Sequence, residues 1–352
     1  MGIFDEVLRS DQTLIKNESA LDYEFIPKLL PHREAQQKQI ATAIMPMLRG
    51  RTGRNVLMMG APGIGKTAAT KHVLRDLEEE VDEEIQIIYI NCWKKNTTYK
   101  VLLDLCEQIG FRFTHNKKTT DLYKVISSIL NKSSAVLVFD EVDKAEDYDF
   151  LYFLLEEIFK KSIVVITNME NFLSEMDTRI KSRLTPEVIE FKAYDLKETN
   201  DIIRTRIGYS FYDGVWDEAS IKMVVKKTHD IKDIRSGIFL LKESAMQAEE
   251  RSSKEIKLKD VEKAVAKLDE FTVKNKEELE DDSKFILDVV KSNSGLKIGD
   301  LYTKYQAKGG KAVYKTFQRK IKKLEEGKFI TTQKQTGEGG NTTIVSKKIT
   351  DY

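Results

Sequence analysis

The chain has 352 residues, 41% of them apolar and 33% charged, with 58 Lys and Arg against 57 Asp and Glu. One hydrophobic core seldom serves so many residues, so two or three domains are expected. The composition excludes a disordered or collagen-like chain, and no apolar run approaches the ~18 residues of a membrane span. The N-terminus lacks a basic region followed by an apolar stretch, so no secretory signal is expected. Cys92 and Cys106 lie in unrelated contexts, which favours unpaired thiols in a reducing, cytoplasmic interior.

The near-zero balance hides an asymmetry. Residues 283–352 hold 15 Lys and Arg against 6 Asp and Glu, so the rest of the chain is acidic. A basic end on an acidic body is the charge pattern of a nucleic-acid-binding module joined to something else, or of a solvated Lys-rich surface.

In chain order, the first 20 residues are polar and are expected to be mobile. Five runs then read as strands: Asn55–Met59, Ile85–Ile90, Ala135–Phe139, Ile163–Thr167 and Val188–Phe191. Each is apolar nearly throughout, as in strands buried on both faces of a parallel sheet. The stretches between them have room for crossover helices. An α/β core is therefore expected over residues 21–194. Strand signals stop after Phe191. Asp195 to Glu198 form a capping box, and helical patterns follow at 217–229, 233–250 and 259–270. These predict an all-helical domain over 195–274. The polar, acidic stretch at 275–282 suits a linker or the cap of the next helix.

The last segment, 275–352, predicts helices near Phe285–Val290, Leu296–Tyr305 and Lys311–Glu326. In the third, Val313, Phe317, Ile321 and Leu324 share one side by helical spacing, and Lys311, Lys315, Arg319 and Lys322 share the other. Two short runs, 329–332 and 342–345, flank a Gly-rich tip and read as a hairpin. Three helices and a hairpin form the winged-helix pattern.

Gly60-Ala61-Pro62-Gly63-Ile64-Gly65-Lys66-Thr67 satisfies the phosphate-binding loop pattern G-x-x-x-x-G-K-[ST]. It follows a strand and precedes a helix beginning near Ala68, as the chemistry requires. Gly63 and Gly65 let backbone N–H groups approach phosphate oxygens, and the helix N-terminus favours negative charge. Lys66 is expected at the β- and γ-phosphates of ATP, and Thr67 at Mg²⁺. Val136 to Glu141 form an apolar strand ending in two acids. Asp140 suits Mg²⁺ through water and Glu141 suits polarising an attacking water; both could instead cap the next helix. Asn168, directly after its strand, suits holding that water or serves as a turn residue.

These motifs together resemble an AAA+ ATPase. Pro31-His32-Arg33-Glu34 upstream, an inserted helix at Tyr99–Ile109 and the terminal winged-helix pattern narrow the resemblance. They make the chain similar to the archaeal replication-initiator family, relatives of the origin recognition complex and of the eukaryotic helicase-loading factor. That resemblance implies an α/β P-loop AAA+ core, a helical lid and a C-terminal winged-helix domain. It implies ATP or ADP with Mg²⁺, and Pro31, His32 and Arg33 against the adenine. Asn168 becomes a first sensor and Arg235 a second. Arg183, or nearby Arg179, becomes an arginine finger for a neighbouring subunit. Lys232-Asp233 stands where the family often has Gly-Asp, and Ser182-Arg183-Leu184 where archaeal members often have Ser-Ser-Leu. The inserted helix touches DNA in the family.

The third helix of a winged helix enters the major groove. This places Lys311, Tyr314, Lys315, Gln318, Arg319 and Lys322 toward duplex DNA, with Gly339 and Asn341 at the wing tip. The implied activity is origin-binding replication initiation. Slow ATP hydrolysis would act as a switch, with the replicative helicase as partner and no membrane association. The protein would be a monomer, or assemble on DNA. A branch-migration motor and a nucleotide-binding DNA regulator or partition factor are the alternatives.

Overall fold

The computed structural model describes residues 13–81, 85–277, 281–310, 312–326, 329–337 and 340–347. These divide into two compact units, up to Val265 and from Ala266 onward.

The first unit is built on five parallel strands: β1 (Val56–Met59), β2 (Ile85–Asn91), β3 (Ser134–Asp140), β4 (Lys161–Thr167) and β5 (Glu187–Glu190). Their order is β2-β3-β4-β1-β5. All seven residues of β3 are buried, because the strand has neighbours on both edges and helices over both faces. That is why the sheet reads as continuous apolar runs. Successive residues face opposite ways. Leu57, Leu137, Phe139 and Val165 pack on one face with α3 (Thr98–Gln108), α4 (Thr119–Leu130) and α5 (Asp149–Glu157). Met58, Val136, Val138 and Ile166 pack on the other with α1 (Glu34–Ile44) and α2 (Lys66–Glu80). Two helices, α3 and α4, thus separate β2 from β3, and α3 covers the expected 99–109 helix with a one-residue shift.

Two short helices, α6 (Phe172–Glu175) and α7 (Thr178–Leu184), lead into β5. Four helices follow: α8 (Leu196–Ser210), α9 (Glu218–Ile231), α10 (Ile234–Glu250) and α11 (Leu258–Glu277). The capping box at Asp195 and Glu198 forms as the sequence predicts, with both side chains accepting a backbone N–H. The expectation of a mobile N-terminus fails from Thr13 onward. Ile15 bridges Phe211, Lys16 N–H donates to the Ser210 carbonyl at 2.9 Å, and Leu14 N–H donates to Glu249 at 2.8 Å. Leu14, Ala20 and Leu21 are buried. The reason is apolar: these three side chains leave water by docking on α8 and α10.

The second unit contains α12 (Asp281–Ser292), β6 (Leu296–Lys297), α13 (Ile298–Ala307), α14 (Tyr314–Glu326), β7 (Ile330–Gly337) and β8 (Gly340–Lys347). This is the helix and strand order of a winged helix. The strands are antiparallel in the order β6-β8-β7. Ile286, Val290, Leu301, Tyr305, Phe317, Ile321, Leu324 and Val345 form its core. The stripe of Phe317, Ile321 and Leu324 faces inward as predicted. Val313 does not: it precedes α14, where helical phase no longer applies, and is 65% exposed. Lys311 and Gly339 lie outside the described residues, as does the side chain of Asn341. Among the described residues, no helix is long and apolar enough to cross a membrane.

Candidate functional site

The carboxyl ends of β1, β3 and β4 lie side by side, and ligands of open α/β sheets bind at such edges. The pairing that aligns Met59 with Thr167 brings the loop after β1 beside Asn168. That loop turns through positive φ at Gly60, Gly63 and Gly65 and delivers Lys66 to the start of α2. The Lys66 ammonium donates to the carbonyls of Gly60 (2.7 Å) and Ala61 (2.8 Å) and to Asn168 Oδ1 (2.8 Å). Burial pushes its pKa down to about 8, against the opposing pull of Asp140 and Asp143.

Asp140 closes β3 and is buried. Its Oδ2 accepts from the Thr67 hydroxyl at 2.7 Å and from the Tyr89 hydroxyl at 2.5 Å, while Oδ1 accepts from Glu141 N–H at 2.8 Å. Burial and the adjacent carboxylate hold the Tyr89 phenol above its ordinary range, so it stays a donor. Glu141 sits at φ 52°, and its side chain makes no capping hydrogen bond to the turn it precedes. The cap reading of this acid therefore fails. Burial, then Asp140, raise the Glu141 pKa, and the Asn91 amide opposes them. A carboxylate so placed suits proton acceptance from water.

A cavity of about 290 Å³ opens over these groups. Pro31, Pro62, Gly63, Gly65, Lys66, Thr67, Ala68, Asp140, Glu141, Asn168 and Arg235 all line it. Arg235 reaches it from the start of α10, where it pairs with Asp233 at 2.7 Å. The backbone of α10 also touches the loop, since Ile234 N–H donates to the Gly63 carbonyl at 3.1 Å.

Other expected residues lie elsewhere. Gly60 and Ala61 turn carbonyls to Lys66 and do not line the cavity. Ile64 is buried beneath the loop. His32 and Arg33 do not line the cavity. His32 contacts Asp201 at 3.1 Å. Arg33 is 4% exposed, stacks 3.7 Å from the Tyr194 ring centroid, and donates to the carbonyls of Ile64 (3.0 Å) and Lys192 (2.7 Å). It braces the loop against the segment that leads into α8. Arg179 and Arg183 also stand apart from the cavity. Arg179 is exposed and pairs with Asp177 at 2.9 Å, and Arg183 pairs with Glu156.

Sequence reasoning missed several contributors. Tyr23, Phe25 and Ile26 line the cavity, as do Arg206 and Tyr209 from α8. An aromatic cluster upstream of the loop was the available signal. Asp143 accepts from the Thr167 hydroxyl (3.0 Å) and from Asn168 N–H (3.1 Å), and so fixes the turn that presents Asn168.

In the second unit, Tyr314, Lys315, Gln318, Arg319 and Lys322 are exposed along α14. Lys315, Arg319 and Lys322 lie opposite Phe317, Ile321 and Leu324, whereas Tyr314 lies at the edge of that apolar side, its ring 4.9 Å from Tyr302. Lys320 instead turns toward Asp282 at 3.0 Å.

A family model for the AAA domain matches residues 49–177, and one for the Cdc6 AAA+ ATPase-type lid domain matches residues 200–266. An ORC1-type DNA replication protein 1 of Sulfurisphaera tokodaii is 33% identical over 276 residues, which is 74% of this chain and 69% of that protein. Its namesake in Archaeoglobus fulgidus is 32% identical over 346 residues, 92% of this chain and 84% of that one. The chain belongs to the ORC1-type DNA replication protein family. This ORC1-type chain superimposes on the Aeropyrum pernix Orc1 protein solved in complex with DNA, with a TM-score of 0.70 and 25% identity, over 96% of this chain and 94% of that one. The initiator-family expectation is met, and the ORC1-type chain is an AAA+ ATPase with a Cdc6-type lid.

Proposed function

We propose that the cavity binds ATP with Mg²⁺, that hydrolysis there is slow, and that the nucleotide state governs how the protein grips duplex origin DNA before the replicative helicase is recruited. The observation that carries this reading is the convergence of Lys66, Asp140, Glu141 and Asn168 from the core and Arg235 from the lid on one cavity. Lys66 supplies positive charge to the β- and γ-phosphates and Asn168 orients the attacking water. Glu141 takes its proton, and Arg235 meets the γ-phosphate from the lid. Thr67 and Asp140 form an oxygen-only donor set, which suits Mg²⁺. When bound, Mg²⁺ neutralises phosphate charge. Arg179 and Arg183 are exposed and do not line their own cavity, which is compatible with use on a neighbouring subunit's ATP. The proposed division is a core over residues 21–194, a lid over 195–274 and a DNA-binding domain over 275–352.

The DNA end rests on α14. Lys315 and Lys322 take phosphates, and Arg319 reaches base edges in the major groove, with Tyr314 and Gln318 as the further candidates for base contact. The Aeropyrum relative was solved on DNA, which supports the same use here. The test is anisotropy of labelled duplexes over a salt series, with ATP, ADP and no nucleotide, alongside single-turnover hydrolysis. Tight, salt-sensitive binding to few genomic fragments that changes with nucleotide is expected, with turnover well below the ~10 s⁻¹ of a median enzyme. Rapid, DNA-independent turnover would sink the switch, and failure to bind any duplex would remove the DNA role.

A further inference from the structure

Tyr89 belongs to none of the motifs described above. It lies in β2, the edge strand of the sheet. Its hydroxyl donates to Asp140 Oδ2, the oxygen that also takes the Thr67 hydroxyl. Its ring is half-buried and packs over Lys71, whose Nζ is 5.1 Å from the ring centroid.

The backbone of Tyr89 is held from outside the sheet. Gln108, the last residue of α3, accepts from Tyr89 N–H at 3.1 Å and donates to the Tyr89 carbonyl at 2.9 Å. One amide side chain thus satisfies both main-chain groups that an edge strand leaves open. Gln108 is itself tied to Asp104 at 2.8 Å, and Asp104 pairs with Lys95 at 3.0 Å. The connection runs from α3 through Gln108 to Tyr89, and from the Tyr89 hydroxyl to Asp140.

A carboxylate that serves a divalent cation needs its lone pairs held in fixed directions, and hydrogen-bonded partners behind it do this. Asp140 Oδ1 is fixed by Glu141 N–H. Oδ2 has two donors, and one of them, Thr67, is itself assigned to the cation. Tyr89 is the donor whose only described acceptor is Asp140.

We propose that Tyr89 is a positioning residue for nucleotide-bound Mg²⁺: its hydroxyl fixes the Asp140 carboxylate, and Gln108 of α3 holds Tyr89 in register to do so. This rests on the assignment of Asp140 to the metal made above. It makes the placement of α3 and the affinity for Mg²⁺ mutually dependent, because coupling between two sites is reciprocal.

The test is equilibrium binding of a fluorescent ATP analogue to the full chain, in EDTA and across a MgCl₂ titration. The variants are Tyr89→Phe, Gln108→Ala and Asp140→Asn. Tyr89→Phe is expected to raise the Mg²⁺ concentration for half-maximal tight binding about tenfold, the lower end of what losing a partner behind a metal ligand costs. Its affinity in EDTA should match the parent protein. Gln108→Ala should shift the titration in the same direction by less. It leaves the phenol intact and carries the test alone if the phenylalanine variant does not fold. A Tyr89→Phe titration like the parent's, beside a shifted Asp140→Asn titration, overturns the proposal and spares the Asp140 assignment. Loss of affinity in EDTA as well would make Tyr89 a packing residue and also overturn it. If Asp140→Asn leaves the titration unmoved, the assignment of Asp140 fails and the role of Tyr89 falls with it.

Discussion

Lys66 and Asn168 stand 102 positions apart in the chain, and the ammonium of one donates to the side-chain oxygen of the other at 2.8 Å. The contact exists because β1 and β4 are neighbours in register, so the loop after one meets the turn after the other. It joins the group assigned to phosphate charge with the group assigned to the attacking water. The two should separate kinetically. Asn168→Ala is expected to lower single-turnover ATP hydrolysis about 100-fold, the effect of removing one preorganised polar group from a transition state. ATP affinity should change little. Lys66→Ala should abolish measurable ATP binding. Equal losses of affinity and rate in Asn168→Ala would assign the amide to ground-state binding instead.

Gly63 has a second constraint beyond its φ of +74°. A Cβ there would stand 1.9 Å from Asp233 Oδ1. Asp233 caps α10, since its carboxylate accepts from Arg235 N–H at 2.9 Å and pairs with the Arg235 guanidinium. Gly63→Ala therefore forces either the loop or the cap to move, and a lost cap costs about 1 kcal/mol. The expected result is weaker ATP binding together with faster proteolysis in the 232–236 region. Unchanged proteolysis with weaker binding would confine the damage to the loop.

The parallel sheet was legible because its strands are apolar on both faces, and β1 to β5 lie within one or two residues of the predicted runs. The phosphate loop was legible because its residues are consecutive. What escaped depended on distant partners. Residues 13–20 lie in the stretch expected to be mobile, yet Arg206 reaches back to the Ala20 carbonyl at 2.9 Å and Leu14 is buried. Arg33 carries no local sign that its guanidinium lies against Tyr194, 161 positions later. Asp143 could be seen beside Asp140 and Glu141, but its bonds to Thr167 and Asn168 need β4 to lie alongside β3. Val313 matched the stripe in spacing and failed because the helix begins after it.

Asp260 is fully buried, and Arg251 donates to it twice, at 2.7 and 2.9 Å, while Lys257 N–H adds a third bond at 2.9 Å. Burial alone would raise its pKa, but these donors prevail and lower it. A carboxylate with a depressed folded-state pKa contributes stability that is complete above its unfolded value, about 3.9. That contribution is lost as pH falls through the lower folded value. Arg251→Met strands the charge and should cost about 3 kcal/mol at pH 7. Its deficit against the parent should narrow below about pH 4. Thermal melts across pH check this, and a deficit that does not change with pH would show that Arg251 acts through packing alone.

On α14, three cations with different surroundings give distinguishable outcomes. Lys315 and Arg319 are exposed, whereas Lys320 pairs with Asp282, which also takes the Tyr305 hydroxyl at 2.6 Å. If the exposed face meets DNA, Lys315→Ala should weaken binding to all duplexes alike and reduce the slope of log affinity against log salt by about 1. Arg319→Ala should cost about 1–3 kcal/mol at the preferred site and relax the preference there. Lys320→Ala should leave the salt slope unchanged and lower the stability of the second unit by about 1 kcal/mol, the usual net worth of a lost hydrogen bond. The comparison is informative because all three substitutions remove one positive charge from the same helix. If all three reduced the slope equally, DNA affinity would track the net charge of the domain, and the placement of α14 in a groove would have no support.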